Sequence, residues 1–295
     1  MRQTLSRRAY LQGGTLMLAG NKSMAQTSPQ SIRFGLFTDV HHADKPEVGT
    51  RYYRESLTKL EEGLATFRKS KAEFLVCLGD LVDAARTLDE ERALVAQAMG
   101  LIRGTQLPVH FVLGNHCVQT LTKQQFLEEA KQKRSYYSFE RGGVHFVVLD
   151  ACYRKDGVSY DAGNFDWKDT EIPAAEQSWL QQDLAASKGP VLVFVHQRLD
   201  VEGVHAVASA REVRAILERS GKVAAVFQGH SHQNDYREID GIHYCTMRAV
   251  IEGSGAANNG YALITLQPDG SIALEGFRAQ RAYQLVSRAK TPSSK

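Results

Sequence analysis

Five apolar stretches of this chain each run directly into residues able to bind a metal ion. Phe74-Leu75-Val76-Cys77-Leu78 stops at Gly79 and delivers Asp80, with Asp83 three residues further on. Ile32 to Phe37 leads into Thr38-Asp39-Val40-His41, and Val109 to Leu113 into Gly114-Asn115-His116. Val191 to Val195 ends at His196, and Val223 to Phe227 ends at Gln228-Gly229-His230-Ser231-His232. Continuous apolar runs without period-2 alternation suit strands covered on both faces. In open α/β sheets, ligands collect just beyond the carboxyl ends of such strands.

A single Gly-Asp after a strand is ordinary turn chemistry; five polar strand ends together form a donor set. On an extended backbone, the two side chains of Asp39-x-His41, or of His230-x-His232, point the same way, so each pair is expected to reach one metal site. Carboxylate, amide and imidazole donors without thiolate suit hard to borderline divalent ions such as Mn, Fe or Zn.

Around these blocks the pattern alternates between strand and helix. A helix is expected from Arg51 to about Arg68, with Leu57, Leu60, Leu64 and Phe67 on one face. Further helices are expected at Leu88 to Ile102, Lys123 to Lys133, Ala174 to Ala186 and Val207 to Arg219, with strands at Tyr136 to Phe139 and Val144 to Leu149. From Asp235 the texture changes to four short strands, with turns at Asp240-Gly241 and Asp269-Gly270, the latter a hairpin signal. Strand–helix units followed by such a meander imply an α/β fold of two packed sheets flanked by helices. The irregular stretch Cys152 to Pro173, containing Tyr160, Phe165 and Trp167, is long for a compact domain. Loops of that length tend to carry function, and its aromatics either pin it down or stack on a ligand.

Asp39-x-His41, Gly79-Asp80-x-x-Asp83, Gly114-Asn115-His116, His196 and Gly229-His230-x-His232 resemble, in order, the blocks of the calcineurin-like metallophosphoesterase superfamily. Those folds are four-layer sandwiches, two mixed β-sheets flanked by helices. The resemblance implies two divalent metal ions, with Asp80 bridging them. Asp39, His41 and His232 would complete one coordination set, and Asn115, His196 and His230 the other. His116 would be catalytic, assisting the leaving group. Arg51-Tyr52-Tyr53-Arg54-x-Ser56-Leu57, Leu149-Asp150-Ala151, Gln177-x-Trp179-Leu180 and the run from Gly241 through Glu252 are similar to the manganese-dependent ADP-ribose/CDP-alcohol diphosphatases. That similarity implies hydrolysis of a phosphoanhydride or phosphoester in a small phosphorylated substrate. A broad periplasmic phosphomonoesterase or phosphodiesterase is the second enzymatic reading. A non-catalytic phosphatase fold would be marked by lost ligands, and every ligand is present. One position departs from the pattern: Cys117 follows Asn115-His116 where the superfamily usually has Asp or Glu, so that either His116 is less basic here or Asp83 or another carboxylate takes over its orientation. His42, His110, His145, His205 and His243 fall outside the blocks and are expected to be hydrogen-bonded or surface groups.

At the N-terminus, Ser6-Arg7-Arg8 precedes a weakly apolar stretch, Gly13 to Gly20, and then Ser23-Met24-Ala25. This resembles a twin-arginine (Tat) export signal over residues 1–25, followed by one catalytic domain over 26–295. The expected partner is the Tat export machinery, and the expected location periplasmic or secreted. No later apolar run approaches a bilayer's thickness and no cysteine follows the leader core, so no stable membrane anchor is expected. A net charge of only +3 carries no footprint of a nucleic-acid binder. Four cysteines without metal-type spacing read as buried structural residues.

Overall fold

The computed structural model describes residues 31–286. The export signal expected over residues 1–25 lies outside the described residues. Twelve strands and five α-helices follow in order: β1 (Ile32–Phe37), α1 (Ser56–Lys69), β2 (Phe74–Cys77), α2 (Leu88–Gly104), β3 (Val109–Phe111), α3 (Lys123–Ala130), β4 (Tyr137–Arg141), β5 (Val144–Val148), α4 (Ala174–Ala186), β6 (Val191–Phe194), α5 (Ala210–Ser220), β7 (Val223–Gln228), β8 (Asp235–Ile239), β9 (Ile242–Thr246), β10 (Gly260–Leu266), β11 (Ile272–Arg278) and β12 (Tyr283–Leu285). They form two six-stranded mixed sheets, ordered β12-β11-β10-β1-β2-β3 and β4-β5-β6-β7-β9-β8.

Why the five key strands read as unbroken apolar runs is now plain, because each alternates between two cores. Phe34, Leu36, Phe74 and Val76 of the first sheet face Phe146, Leu192, Phe194 and Phe227 of the second across the central layer. There the Phe34 ring stacks on Phe74 at 4.9 Å and meets Phe194 edge-on at 5.7 Å, so the sheets interlock through aromatic contacts. The outward positions Phe37, Leu75 and Cys77 lie under Leu60, Leu64 and Phe67 of α1 and Val95 and Met99 of α2. On the far side, Val147, Val193 and Val226 lie under Leu180 and Leu184 of α4 and Val213 and Leu217 of α5. The result is the four-layer sandwich expected.

Local chemistry sets the helix ends. The Thr87 hydroxyl accepts from the Glu90 amide to start α2, and Thr122 with Gln125 forms a capping box on α3. Helix α3 stops at Ala130 rather than Lys133 because Lys131 turns left-handed. Helix α5 begins at Ala210 rather than Val207: Ser209 has non-helical backbone angles, and the segment before it is tied to other loops, with Val207 donating to the Arg198 carbonyl and Ala208 to that of Thr170.

The late strands do not form one continuous meander. The β8–β9 hairpin completes the second sheet, with β9 parallel to β7, and β10 then crosses back to pair antiparallel with β1. The reason is burial: β9 and β10 are buried at every position, so each must be covered on both faces and sits inside its sheet. Among the described residues no helix is long and apolar enough to cross a membrane.

One buried imidazole between two carboxylates ties the edge hairpin β4–β5 to α4. His145 places Nδ1 2.6 Å from Glu140 Oε1 and Nε2 2.6 Å from Asp183 Oδ2, and Asp183 also accepts from Ser138. Burial alone would lower this imidazole, but hydrogen bonds to Asp183 and Glu140 hold it above the ordinary histidine range. Its contribution is therefore fully present below the unfolded histidine value and is lost as pH rises through the elevated folded value. His145→Gln is expected to cost about 1–3 kcal/mol near pH 6. Urea melts of both proteins should show the gap narrowing as pH rises above the ordinary histidine range.

Candidate metal centre

The carboxyl ends of β1, β2, β3, β6 and β7 converge, and every residue named from the sequence lies at that edge. Asp39, His41 and His232 each bring one donor atom to within 4.8 Å of the others, and Asp80, His196 and His230 form a second such group. Asp80 Oδ2 lies between them, 3.5 Å from His41 Nε2 and 3.2 Å from His196 Nε2. Asp39 Oδ1 is 3.4 Å from His232 Nε2 and 3.9 Å from His196 Nε2. Asn115 is buried beside them.

The backbone achieves this convergence by a route different from the extended pairs expected. Asp39, His41, Asp80, His230 and His232 all have positive φ, between 45° and 69°. Left-handed backbone is strained for side-chain-bearing residues and persists where the surroundings over-determine it. Here they do: Asp39 and His41 donate their amides to the Gly79 and Asp80 carbonyls at 3.1 and 2.9 Å, and the His230 amide binds Asp39 Oδ2 at 3.1 Å. One consequence corrects the His-x-His expectation. His232 joins the Asp39 group and His230 the Asp80 group, so that pair spans both sites. Gly114 is required for close approach, since a Cβ there would collide with the Asp80 carboxylate.

Each histidine is fixed by what its other nitrogen touches. His196 Nδ1 donates to the Leu78 carbonyl at 2.7 Å, and His232 Nδ1 donates to Glu252 Oε1 at 2.8 Å, which leaves both Nε2 lone pairs facing inward. Burial alone would lower His196 and His232, but Asp80 and Asp39 push both up to about 9. Burial would raise Glu252, yet its hydrogen bonds to His232 and Thr50 bring it down to about 2. Glu252 is itself held by Lys59, whose ammonium donates to the Glu252 carbonyl at 3.1 Å.

A divalent pair fits this chemistry. Asp39 Oδ1 and Asn115 Oδ1 are buried with no hydrogen-bond partner. His41 Nε2 and His232 Nε2 face each other at 3.1 Å, as do His230 Nδ1 and His196 Nε2 at 3.2 Å. Imidazole nitrogens crowded in pairs around oxygens that lack a donor form a set that a cation between them would satisfy. A third grouping, His41, Asp83 and His116, is of another kind. Asp83 Oδ1 there accepts from Lys45 at 3.0 Å and from the Ala84 amide at 2.8 Å and lies 3.1 Å from His116 Nδ1, so that oxygen is already engaged.

Asp83 thus takes the place left open by Cys117, which is fully buried with its thiol pushed up to about 12 by burial and by Asp80. Burial would lower His116, but Asp80 and Asp83 raise it above the ordinary range. Two residues at the centre escaped the sequence. Glu252 carries no local signal; it arrives through long-range pairing, with the Tyr52 amide bound to the Ile251 carbonyl. His205, expected to be a bystander, lies 5.4 Å from His230, ring to ring. The remaining non-block histidines have separate partners: His42 bonds Gln97, His110 bonds Tyr137 and His243 bonds Tyr236. All four cysteines are free and buried.

Two stacked mixed sheets with paired carboxylate and imidazole groups at one edge define a dimetal hydrolase fold. Comparison with known proteins agrees. The calcineurin-like phosphoesterase family matches residues 32–234, and the chain belongs to that family. A manganese-dependent ADP-ribose/CDP-alcohol diphosphatase of Oryza sativa subsp. japonica is 25% identical over 267 residues, covering 74% of this chain and 83% of its own. The serine/threonine-protein phosphatase CPPED1 of Mus musculus is 26% identical over 215 residues, covering 66% of each chain. Among solved structures, a dimetal phosphatase from Danio rerio superposes with a TM-score of 0.77 at 20% identity, covering 87% of this chain and 99% of that one. The protein is a metal-dependent phosphohydrolase.

If Glu252 orients His232, Glu252→Gln should weaken manganese binding by about 10- to 100-fold, the usual cost of losing such an outer partner. Calorimetric titration on the folded variant measures it, and wild-type affinity would show that Glu252 plays no orienting role.

Proposed function

We propose that this enzyme hydrolyses a phosphoanhydride in a nucleoside diphosphate compound of the ADP-ribose or CDP-alcohol type. Asp39, His41 and His232 would hold one divalent ion, Asn115, His196 and His230 the other, and Asp80 both. The observation that carries the metal assignment is the position of Asp80 Oδ2, within 3.5 Å of an imidazole nitrogen from each group. The substrate class follows from the named activity of the rice relative and from the coverage of both chains.

When bound, two such ions activate water, polarise phosphoryl oxygens and steady the phosphorus for in-line attack. The chain does the rest. Asp39 and Asp80, both held low by their histidines despite burial, supply fixed negative charge. Four imidazoles and an amide add none, so a centre holding two dications stays net positive and attracts an anionic substrate. His116 Nδ1 is tied to Asp83, which leaves Nε2 to carry a proton to the departing oxygen. Asp83 is held ionised by His116 and His41 against its burial, so it stabilises the protonated imidazole as an aspartate after Asn-His would.

Asp80→Asn should reduce hydrolysis at least about 100-fold and lower bound manganese in parallel, since one carboxylate serves both ions. The experiment uses metal-defined enzyme with ADP-ribose, CDP-choline, a phosphoserine peptide and bis-p-nitrophenyl phosphate. Preferential turnover of the first two, abolished in Asp80→Asn, is expected. Preference for the phosphopeptide or the diester would replace the diphosphatase reading with a broad phosphatase one.

We further propose that residues 1–25 direct Tat export to the periplasm or beyond, followed by one catalytic domain over 26–295. The support is the Arg7-Arg8 pair ahead of a weakly apolar core. Arg7→Lys with Arg8→Lys keeps the charge and removes the guanidinium pair; fractionation should then find the chain retained in the cytoplasm. Unchanged export would remove the Tat assignment.

A further inference from the structure

One large apolar side chain stands at the mouth of the metal centre without a task in the reaction described so far. Trp167 is 36% exposed, unlike the aromatics before it in the same loop. Its ring centroid lies 5.5 Å from that of His230 and 5.5 Å from that of His205. His230 turns Nδ1 toward His196, while its Nε2 is buried with no partner. His205 Nδ1 is likewise buried and unpartnered. Two imidazoles with buried, unpartnered nitrogens thus back an indole that is itself exposed, and the indole is the group that a flat ligand can reach.

The loop that carries Trp167 is rigidly mounted. Tyr160 is fully buried, stacks on Phe165 at 3.9 Å, and donates its hydroxyl to the Asp169 carbonyl at 2.6 Å. The Asp169 amide returns to the Asp166 carbonyl at 2.9 Å, closing the turn that presents Trp167. The Thr170 hydroxyl binds the Ala151 carbonyl at 2.6 Å, and the Thr170 carbonyl accepts from the Ala208 amide at 2.8 Å. That last bond joins the Trp167 turn to the segment bearing His205, which is anchored in turn by its carbonyl to the Arg198 amide at 3.0 Å. Tyr160 and Phe165 pin the loop, and Trp167 faces outward with the Lys168 ammonium 5.4 Å from its ring centroid, a mobile cation that a stacked base would displace or share.

We infer that Trp167, flanked by His205 and His230, is a stacking platform for the aromatic base of a nucleoside phosphate whose phosphate lies at the metal centre. The inference deepens the diphosphatase reading and rests on it for the choice of nucleotide. A phosphate held beside His230 would have the indole on the other side of that imidazole, 5.5 Å between ring centroids, within reach of a base joined to it through a pentose. Stacking on an indole tolerates any base, because every base offers a π-face, so purine and pyrimidine compounds should both be accepted.

The test uses the full, manganese-loaded enzyme. The chain contains two tryptophans, so Trp179→Phe leaves Trp167 as the sole indole reporter. AMP, CMP and ribose 5-phosphate share a 5′-phosphate and differ in the base. AMP and CMP should quench Trp167 saturably and bind about 5- to 100-fold more tightly than ribose 5-phosphate, the range set by base–aromatic stacking. By calorimetric titration, which needs no indole reporter, that preference should collapse toward unity in Trp167→Ala, and in Trp167→Phe most of it should survive. A wild-type preference near unity, or one that Trp167→Ala leaves intact, would overturn the platform. The two readings fail separately. If ADP-ribose is not hydrolysed yet AMP preference depends on Trp167, the platform stands and the diphosphatase reading falls. If ADP-ribose is hydrolysed and Trp167→Ala leaves the preference intact, the reverse holds.

Discussion

Two carboxylates taken out of water set the terms for this molecule. Asp39 is fully buried and Asp80 nearly so, and an ionised carboxylate in such a place persists only with compensating charge and hydrogen bonds. The chain answers with donors on every side: the Thr38 hydroxyl and His230 amide on Asp39, the His116 amide on Asp80, and imidazoles between them. Each partner sits at a strand end, so strand register, sheet order and the left-handed turns at those ends all serve two buried charges. The aromatic layer between the sheets gives the scaffold its stiffness, and the carboxylates make stiffness necessary.

The sequence made the centre legible because its ligands follow strands. An apolar run ending in Asp, Asn or His records both the burial of the strand and the position of the donor, so all seven proposed ligands and His116 come together as expected. The four-layer form was equally visible, since strands buried on both faces demand two covered sheets. What the sequence could not disclose was whatever depends on distant pairing. Glu252 reaches His232 only because the segment after β9 returns beside β1, and β10 leaves the β8–β9 hairpin for the other sheet. The left-handed backbone at Asp39 and His41 was hidden for a related reason: long-range hydrogen bonds, not local propensity, impose it.

The Cys117 position illustrates how one function can be carried by a neighbour. Burial makes its thiol a poor source of negative charge, and the carboxylate needed beside His116 comes from Asp83, one strand away. Lys45 binds the same Asp83 oxygen, so the charge that orients His116 is moderated by a cation from the loop after β1. The chemistry is kept while its residues move along the chain.

The division of donors between the sheets has a mechanical side. Asp39, Asp80 and Asn115 belong to the first sheet, whereas His196, His230 and His232 belong to the second, so any cation held between them clasps the sandwich at its open edge. A ligand that binds only the folded state adds stability in proportion to the logarithm of its saturation, about 2.7 kcal/mol at a hundredfold excess over its dissociation constant. The same ions that make the protein an enzyme would then act as its fasteners, and scarcity of metal would loosen the fold at the place where its substrate enters.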